Sequence, residues 1–323
     1  MIAFTLRRVL YSVLVLFGVN AVTFVLFFAV NTPDDMARMQ LGRRITAEAI
    51  ERWKAQQGYD KPLFLNARAA GLHKLTDTVF YATTARAMSL DLGRTNEGIV
   101  ISEELRHRVV PSLMIAAPTL LLVIVASILT GLGLILYRGT ALERSGVIAL
   151  VALMSISTLF FIITGQFVFA RVLQLMPISG FVAGRSSPLF VALPVLVLLV
   201  AYLGPEARLF RAIFLEELGK DYVRTARAKG LSEFGVMRHI LRNSLIPIIT
   251  SAGLMLPVVF TSTIVTETFF TIPGLGSFTI EGITQQDFNI VRAMVFVGSV
   301  LYILAFLLTD LAYGWADPRV RLK

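Results

Sequence analysis

DYVRTARAKGLSEFGVMRHILRNSLIP, residues Asp221–Pro247, is a basic stretch lying between two apolar stretches that are each long enough to cross a bilayer. Residues 216–229 carry Ala226, Ala228 and long straight-chain side chains, which favour helix. Gly230 breaks that run. Ser232 is suited to cap a second helix, with Glu233 at its favourable N-terminal end. In that second helix Phe234, Met237 and Leu241 fall at i, i+3 and i+7 with Ile240 beside them, while Arg238 and Arg242 take another face. The pattern predicts helix, glycine turn, helix, with an apolar stripe and a basic margin. Such a segment is too polar for the bilayer interior and too patterned for a passive tether. Two coverings satisfy it: the anionic surface of the cytoplasmic leaflet, or a docked protein.

The rest of the chain sets that segment in a membrane. Of 323 residues, 56% are hydrophobic and only 16% charged, against about 25% charged in an ordinary soluble domain. Mean hydropathy is +0.74. These values indicate a polytopic membrane protein. The net charge of +9 fits cationic cytoplasmic loops and requires no nucleic acid. The absence of cysteine excludes thiol chemistry, disulfides and thiolate metal sites. His73, His107 and His239 are scattered and form no ligand pair.

A spanning helix needs about 20 apolar residues. Six stretches qualify: Val9–Val30, Val109–Tyr137, Ser145–Ala170, Ser186–Pro205, Asn243–Thr266 and Ala293–Thr309. The first is longer than a signal-peptide core and no small-residue cleavage site follows it, so it reads as a retained helix. With the N-terminus inside, fifteen Lys and Arg fall in cytoplasmic segments and two, Arg171 and Arg185, in the short outer loops. Both termini and Asp221–Pro247 are therefore expected on the cytoplasmic side. The expected organisation is a first helix over 1–30, an extracytoplasmic region over 31–108, and a five-helix core over 109–323 with its cytoplasmic loop at 206–244. In the outer region Thr46 and Gly58 bound a short predicted helix, with Ala49, Ile50 and Trp53 at helical spacing. Leu75, Val79, Ala82 and Met88 suggest a second amphipathic segment, lying along the outer membrane surface or packed against the span ends.

YVRTARAKG (222–230) and RHILRNSLIP (238–247) resemble the permease subunits of bacterial ATP-binding-cassette importers for dipeptides and oligopeptides. These carry a conserved loop of general form E-A-A, three residues, then Gly. Thr225, Ala226 and Gly230 fit it, while Arg224 stands where many importers have Glu. RRVLYSVLVLFGVNAVTFVLF (7–27), SLDLGRT (89–95), LMPISGF (175–181), ETFFTIPGLG (267–276) and DLAYGWADPRVR (310–321) resemble further family signatures, in order along the chain. The first-span and DPRVR features suggest the first of the two non-identical permeases. The chain departs from the family at NTPDDMAR (31–38), in a longer 66–88 region, and in lacking a proline within SISTLFF (155–161).

The resemblance implies a type I ABC importer permease fold: all-α, with six transmembrane helices, in the bacterial inner membrane. It implies that the helices around Gly230 couple to an ATP-hydrolysing subunit. Phe234, Met237 and Leu241 would be apolar anchors, Arg238 and Arg242 orienting charges, and Arg224 and Ala226 part of the same element. The partners implied are a second permease, two ATP-binding subunits and an external solute-binding protein. ATP and Mg would be bound by the partners. This chain has no G-x-x-x-x-G-K-[ST]: Gly219-Lys220 is followed by Asp221, and Phe occupies position 214. It is therefore expected to be no enzyme by itself and to bind no cofactor or metal.

The pathway is expected to use polar residues of the spans, among them Gln166, Thr263 and Thr266, although small hydroxyl residues also serve helix packing. Glu267 and Arg292 are candidates to pair at the outer gate; a Glu reaching the interface is the alternative. Pro273, Gly274 and Gly276 give a rigid turn with permissive backbone. The family places a re-entrant segment there, and a bare hairpin is the simpler account. Within the family, a permease for nickel complexes or glutathione is an alternative to one for peptides, and an ion-coupled carrier is the rival class. It would need intramembrane carboxylates or broken-helix sites.

Overall fold

The computed structural model describes residues 2–42, 45–67, 69, 71–182, 184 and 187–316. Arg185, Arg319, Arg321, Lys323 and the end of the DLAYGWADPRVR signature lie outside the described residues. In chain order the helices are α1 (Ile2–Val30), α2 (Pro33–Leu41), α3 (Ala47–Gln57), α4 (His73–Thr76), α5 (Val79–Met88), α6 (Ile101–Leu136), α7 (Ala141–Met154), α8 (Thr158–Gly165), α9 (Ser187–Leu218), α10 (Asp221–Ala228), α11 (Glu233–Asn243), α12 (Leu245–Phe270), α13 (Leu275–Thr284) and α14 (Phe288–Ala316). A π-helical segment, Gln166–Val172, continues α8.

Five helices, α1, α6, α9, α12 and α14, are long and apolar enough to cross a membrane. Among the described residues, α7 with α8 and its π-helical continuation passes the same test only as a pair bent by 95°, which makes six spans if the pair is counted as one broken span. The third span is therefore not the continuous Ser145–Ala170 helix that its hydropathy suggests. The sequence Ser155-Ile156-Ser157 breaks it. Ser155 Oγ donates back to Val151 O (2.9 Å), and Ser157 Oγ accepts from the Leu159 amide (3.3 Å) as the cap of α8. Serines compete locally for backbone partners and so both end and start helices.

The fourth span differs in the opposite sense. Pro205 does not end it, and α9 runs on to Leu218. The polar residues beyond Pro205 find partners: Glu206 accepts from Ser251 Oγ (2.7 Å), and Arg211 pairs with Glu143. Residues 206–218 of the expected 206–244 segment are thus a continuation of α9 rather than loop.

The chain divides into two compact units. One comprises 1–107 with 278–303, so it joins the outer region to part of the segment read as core. Its apolar centre holds Phe24, Phe28, Met36, Ile50, Trp53 and Val79; burial of Met36, Ile50 and Val79, which lie outside the candidate span, contributes about 1.5–3 kcal/mol each. The predicted 46–57 helix is present as α3, with Thr46 accepting from the Ala49 amide (3.4 Å) and Gly58 left-handed at φ +75°. The 72–89 segment divides at Thr78, which caps α5, and Val79 is fully buried against Phe24 and its neighbours. Packing, rather than residence on the membrane surface, fixes that residue.

The other unit comprises 108–277 with 304–323. One core joins Ile115 of α6, Ile162 of α8 and Leu193 and Leu198 of α9 to Phe270 and Ile272. Helices α7 and α9 approach closely where a Cβ on Gly204 would lie 2.8 Å from Leu150 O, the use small residues serve between membrane helices.

Candidate functional site

The α10–α11 pair has the predicted helix, glycine, helix form. Asp221–Ala228 ends at Gly230, whose φ of +80° suits a residue without Cβ. Ser232 Oγ then accepts from the Gly235 amide (3.3 Å) to start α11. Arg227 bridges the two helices across the turn, donating to both oxygens of Glu233 at 2.9 and 3.0 Å. Helix α10 begins at 221, because 216–218 belong to α9.

The apolar residues of this pair do not form one outward stripe. Val236, Met237 and Ile240 are buried, joined with Val223 to Phe210 and Phe214 of α9, and Leu241 packs against the same cluster. Phe234 alone of the three expected anchors faces out: it is 83% exposed, against 7% for Met237. Met237 and Leu241 are thus part of the element's foundation, not free anchors. Arg224 of α10 and Arg238 and Arg242 of α11 are also exposed, while Ala226 is half-buried. At the base, Lys220 pairs with Glu217, and Tyr222 donates to the other Glu217 oxygen (2.8 Å). Burial is the largest influence raising the Tyr222 pKa above its ordinary value.

The ETFFTIPGLG stretch folds around its own first residue. Glu267 is fully buried. Its Oε1 accepts from Ser112 Oγ of α6 (2.6 Å), and its Oε2 accepts from the amides of Gly276 (2.7 Å) and Ser277 (3.0 Å). Ser112 Oγ in turn accepts from the Leu275 amide (2.8 Å). The carboxylate therefore closes the N-terminus of α13, where unpaired amides and the helix dipole favour negative charge. Gly274 and Gly276 are required by this closeness: a Cβ on the first would strike the Glu267 carboxylate, and on the second the Ile264 backbone. Pro273 carries the chain from left-handed Thr271 (φ +50°) into that turn.

Glu267 thus spends its acceptors on neutral donors of its own unit, which corrects the expected pairing with Arg292. Arg292 donates to Tyr59 Oη (3.5 Å) and Asn289 Oδ1 (3.3 Å). Gln166 Nε2 donates to the carbonyls of Ile178 (3.0 Å) and Phe269 (3.2 Å), tying the LMPISGF turn to the end of α12. Thr263 and Thr266 are fully buried, with their hydroxyls returned to carbonyls of Phe260 and Ser262 in their own helix. In this conformation those two threonines line no open path.

Ser112 and the Arg211–Glu143 pair were not singled out by sequence reasoning. A lone Ser in an apolar span carries no pattern. The register of an Arg in α9 against a Glu at the start of α7 shows only once both helices are placed. Among the described residues no group of three or more His, Cys, Asp or Glu is placed to hold a metal ion.

Residues 124–322 match the family described as binding-protein-dependent transport system inner membrane component, and residues 1–84 match its N-terminal family. The chain is 32% identical over 337 residues to the probable D,D-dipeptide transport system permease protein DdpB of Escherichia coli strain K12, covering 95% of this chain and 94% of that one. It is 38% identical over 197 residues to the dipeptide transport system permease protein DppB of Bacillus subtilis strain 168, covering 59% of this chain and 63% of that one. It is 28% identical over 325 residues, the full length of both, to the glutathione transport system permease protein GsiC of Escherichia coli strain K12. Spans, signatures and a match over most of the length lead to one conclusion: this multi-pass inner-membrane chain belongs to the binding-protein-dependent transport system inner membrane component family, the permeases of ABC importers.

Proposed function

We propose that this chain forms part of the membrane pathway of an ATP-driven importer for short peptides or closely related solutes, and that α10–α11 receives the work of ATP hydrolysis from a partner subunit. The observation that carries the reading is Phe234, a large apolar side chain 83% exposed in the first turn of α11, while Val223, Val236, Met237 and Ile240 of the same helix pair are buried. An exposed aromatic on a helix pair that also exposes several arginines suits an apolar pocket with an acidic rim on a protein. Arg224, Arg238 and Arg242 are the orienting charges, and Gly230 sets the angle between the helices.

The chain would work with a second permease, two ATP-binding subunits and an external solute-binding protein, with α10–α11 and both termini cytoplasmic. Gln166, Glu267 and the Pro273–Gly276 turn would hold the shape of the pathway at its outer end. The solute class is supported by relatives named for D,D-dipeptides, dipeptides and glutathione.

The test is solute uptake and ATPase activity of the assembled complex in proteoliposomes. Phe234→Ala should leave this chain folded, because the side chain is exposed, and lower uptake about ten-fold or more, as loss of a central aromatic anchor does. Undiminished uptake with normal assembly would remove Phe234 from the coupling contact. No ATP-dependent uptake of any short peptide by the wild-type complex would overturn the assignment of solute.

A further inference from the structure

A polar cavity of about 540 Å³ lies wholly within the unit that contains α1 to α5, a size within the range of small-solute sites. Its walls come from α1 through Asn20, from α5 through Arg86, from the SLDLGRT loop through Asp91 and Arg94, and from α14 through Arg292.

These walls are cross-linked. Asn20 Nδ2 donates to Thr84 Oγ1 (2.8 Å), joining α1 to α5. Asn289 Nδ2 donates to Arg94 O (3.0 Å) and Gln57 Oε1 (3.2 Å), joining α14 to the loop and to α3. The amide of Asn96 donates to the buried carboxylate of Asp287 (2.5 Å). The cavity is therefore a constructed feature, held from four directions.

Its charge is unbalanced. Arg86, Arg94 and Arg292 line it against a single carboxylate, Asp91, one oxygen of which accepts from the Gly93 amide (3.1 Å). Arg94 donates to Gly98 O (2.9 Å), and Arg292 to Tyr59 and Asn289. These neutral acceptors aim the guanidinium groups without neutralising them. The Arg86 guanidinium makes no hydrogen bond or ion pair among the described residues. Several arginines lining one cavity suit a planar carboxylate, which accepts two parallel hydrogen bonds from one guanidinium.

We propose that this cavity binds the free carboxylate of a small peptide-like solute, with Arg86, Arg94 and Arg292 as the anion-binding groups. The inference rests on the reading of the chain as a permease for short peptides. Guanidinium forks take carboxylate and phosphate alike; the carboxylate is the ligand group assigned because the chain is read as a permease for short peptides.

The test uses the full chain in detergent micelles, with tri-alanine, tri-alanine amide and inorganic phosphate as probes, read by ligand-observed NMR titration at constant ionic strength. Tri-alanine is expected to bind saturably and its amide about ten-fold more weakly, as loss of a charge-assisted pair predicts. Arg86→Gln is expected to weaken tri-alanine about five-fold, because this side chain is exposed and screened, with an unchanged thermal midpoint; Arg86→Lys should recover part of the loss. The proposal is overturned by equal binding of acid and amide, by no saturable binding, or by an Arg86→Gln variant that binds like wild type. Phosphate binding more tightly than tri-alanine would make the cavity a general anion site and overturn the solute assignment. Any of these failures alongside intact ATP-driven peptide uptake by the complex would leave the transport reading standing. Loss of that uptake would instead strike the transport reading itself.

Discussion

Ser112 Oγ donates to Glu267 Oε1 at 2.6 Å and at the same time accepts the amide of Leu275 at 2.8 Å. One hydroxyl thus relays between a buried carboxylate and the start of α13, while the second carboxylate oxygen takes the next two amides. The ETFFTIPGLG turn is held by its own glutamate, and α6 supplies the bridging group.

Removing that glutamate should be costly. Glu267→Ala would leave Ser112 and two helix-terminal amides without their acceptor, and each buried unsatisfied group costs about 1–3 kcal/mol. The expected loss is about 3 kcal/mol or more, with about 1–2 kcal/mol for Ser112→Ala. Glu267→Gln keeps an acceptor for the amides and should fall between wild type and Glu267→Ala. Denaturant midpoints of the detergent-solubilised protein give the order. A Glu267→Ala variant as stable as wild type would show that the network contributes nothing.

The two kinds of glycine should separate under alanine substitution. Gly276→Ala places a Cβ on the Ile264 backbone, which cannot rotate away, and should cost about 2–3 kcal/mol as overpacking does. Gly230 has open space around it but φ of +80°, so Gly230→Ala should cost about 1 kcal/mol of backbone strain. In the assembled complex, Gly230→Ala should still change coupling, because it alters the angle between α10 and α11. A larger stability loss at 230 than at 276 would contradict this ranking.

Glu143 and Arg211 tie the start of α7 to α9, with Glu143 also accepting from the Gly139 amide (2.7 Å). Both side chains are largely shielded, at 11% and 23% exposure. Breaking the pair on one side leaves Glu143 without its cation, so Arg211→Ala should lower the denaturant midpoint. A double-mutant cycle with Glu143→Ala should return a coupling energy well above the value near zero expected of independent sites.

A pH dependence follows from Asp77. Its hydrogen bond and attraction from Lys61 hold its carboxyl below the ordinary 3.8, with a contact of 2.7 Å. A depressed carboxyl pKa contributes stability above the unfolded value and loses it as pH falls through the folded value. Amide exchange protection around Thr78–Tyr81 should therefore be flat between about pH 5 and 8 and fall only below 3.8. Loss of protection already near pH 6 would point to another group.

Much of the fold could be read because local signals and tertiary structure agree there. Thr46 and Gly58 bound α3, and Gly230 with Ser232 divides α10 from α11. Where the reading went astray, two local answers were equally good. Phe234, Met237 and Leu241 form a plausible stripe, and so do Val236, Met237 and Ile240. The choice rests on Phe210 and Phe214, more than twenty residues earlier. The break at Ser155–Ser157 was masked by flanking hydropathy, since a window average does not register two serines recruiting nearby backbone groups. Glu267 and Arg292 invited pairing by charge alone, but the glutamate faces backbone amides that no residue pattern displays.

The burial of Val236, Met237 and Ile240 against α9 has a mechanical meaning. A loop fastened only at its two ends would stretch or swing before it moved anything else. Here Val236, Met237 and Ile240 of α11 share one apolar cluster with Phe210 and Phe214, with the Arg211–Glu143 latch on the same stretch of α9. A displacement applied at Phe234 meets no slack. If the helix pair receives work as proposed, it would act as a handle cast in one piece with α9.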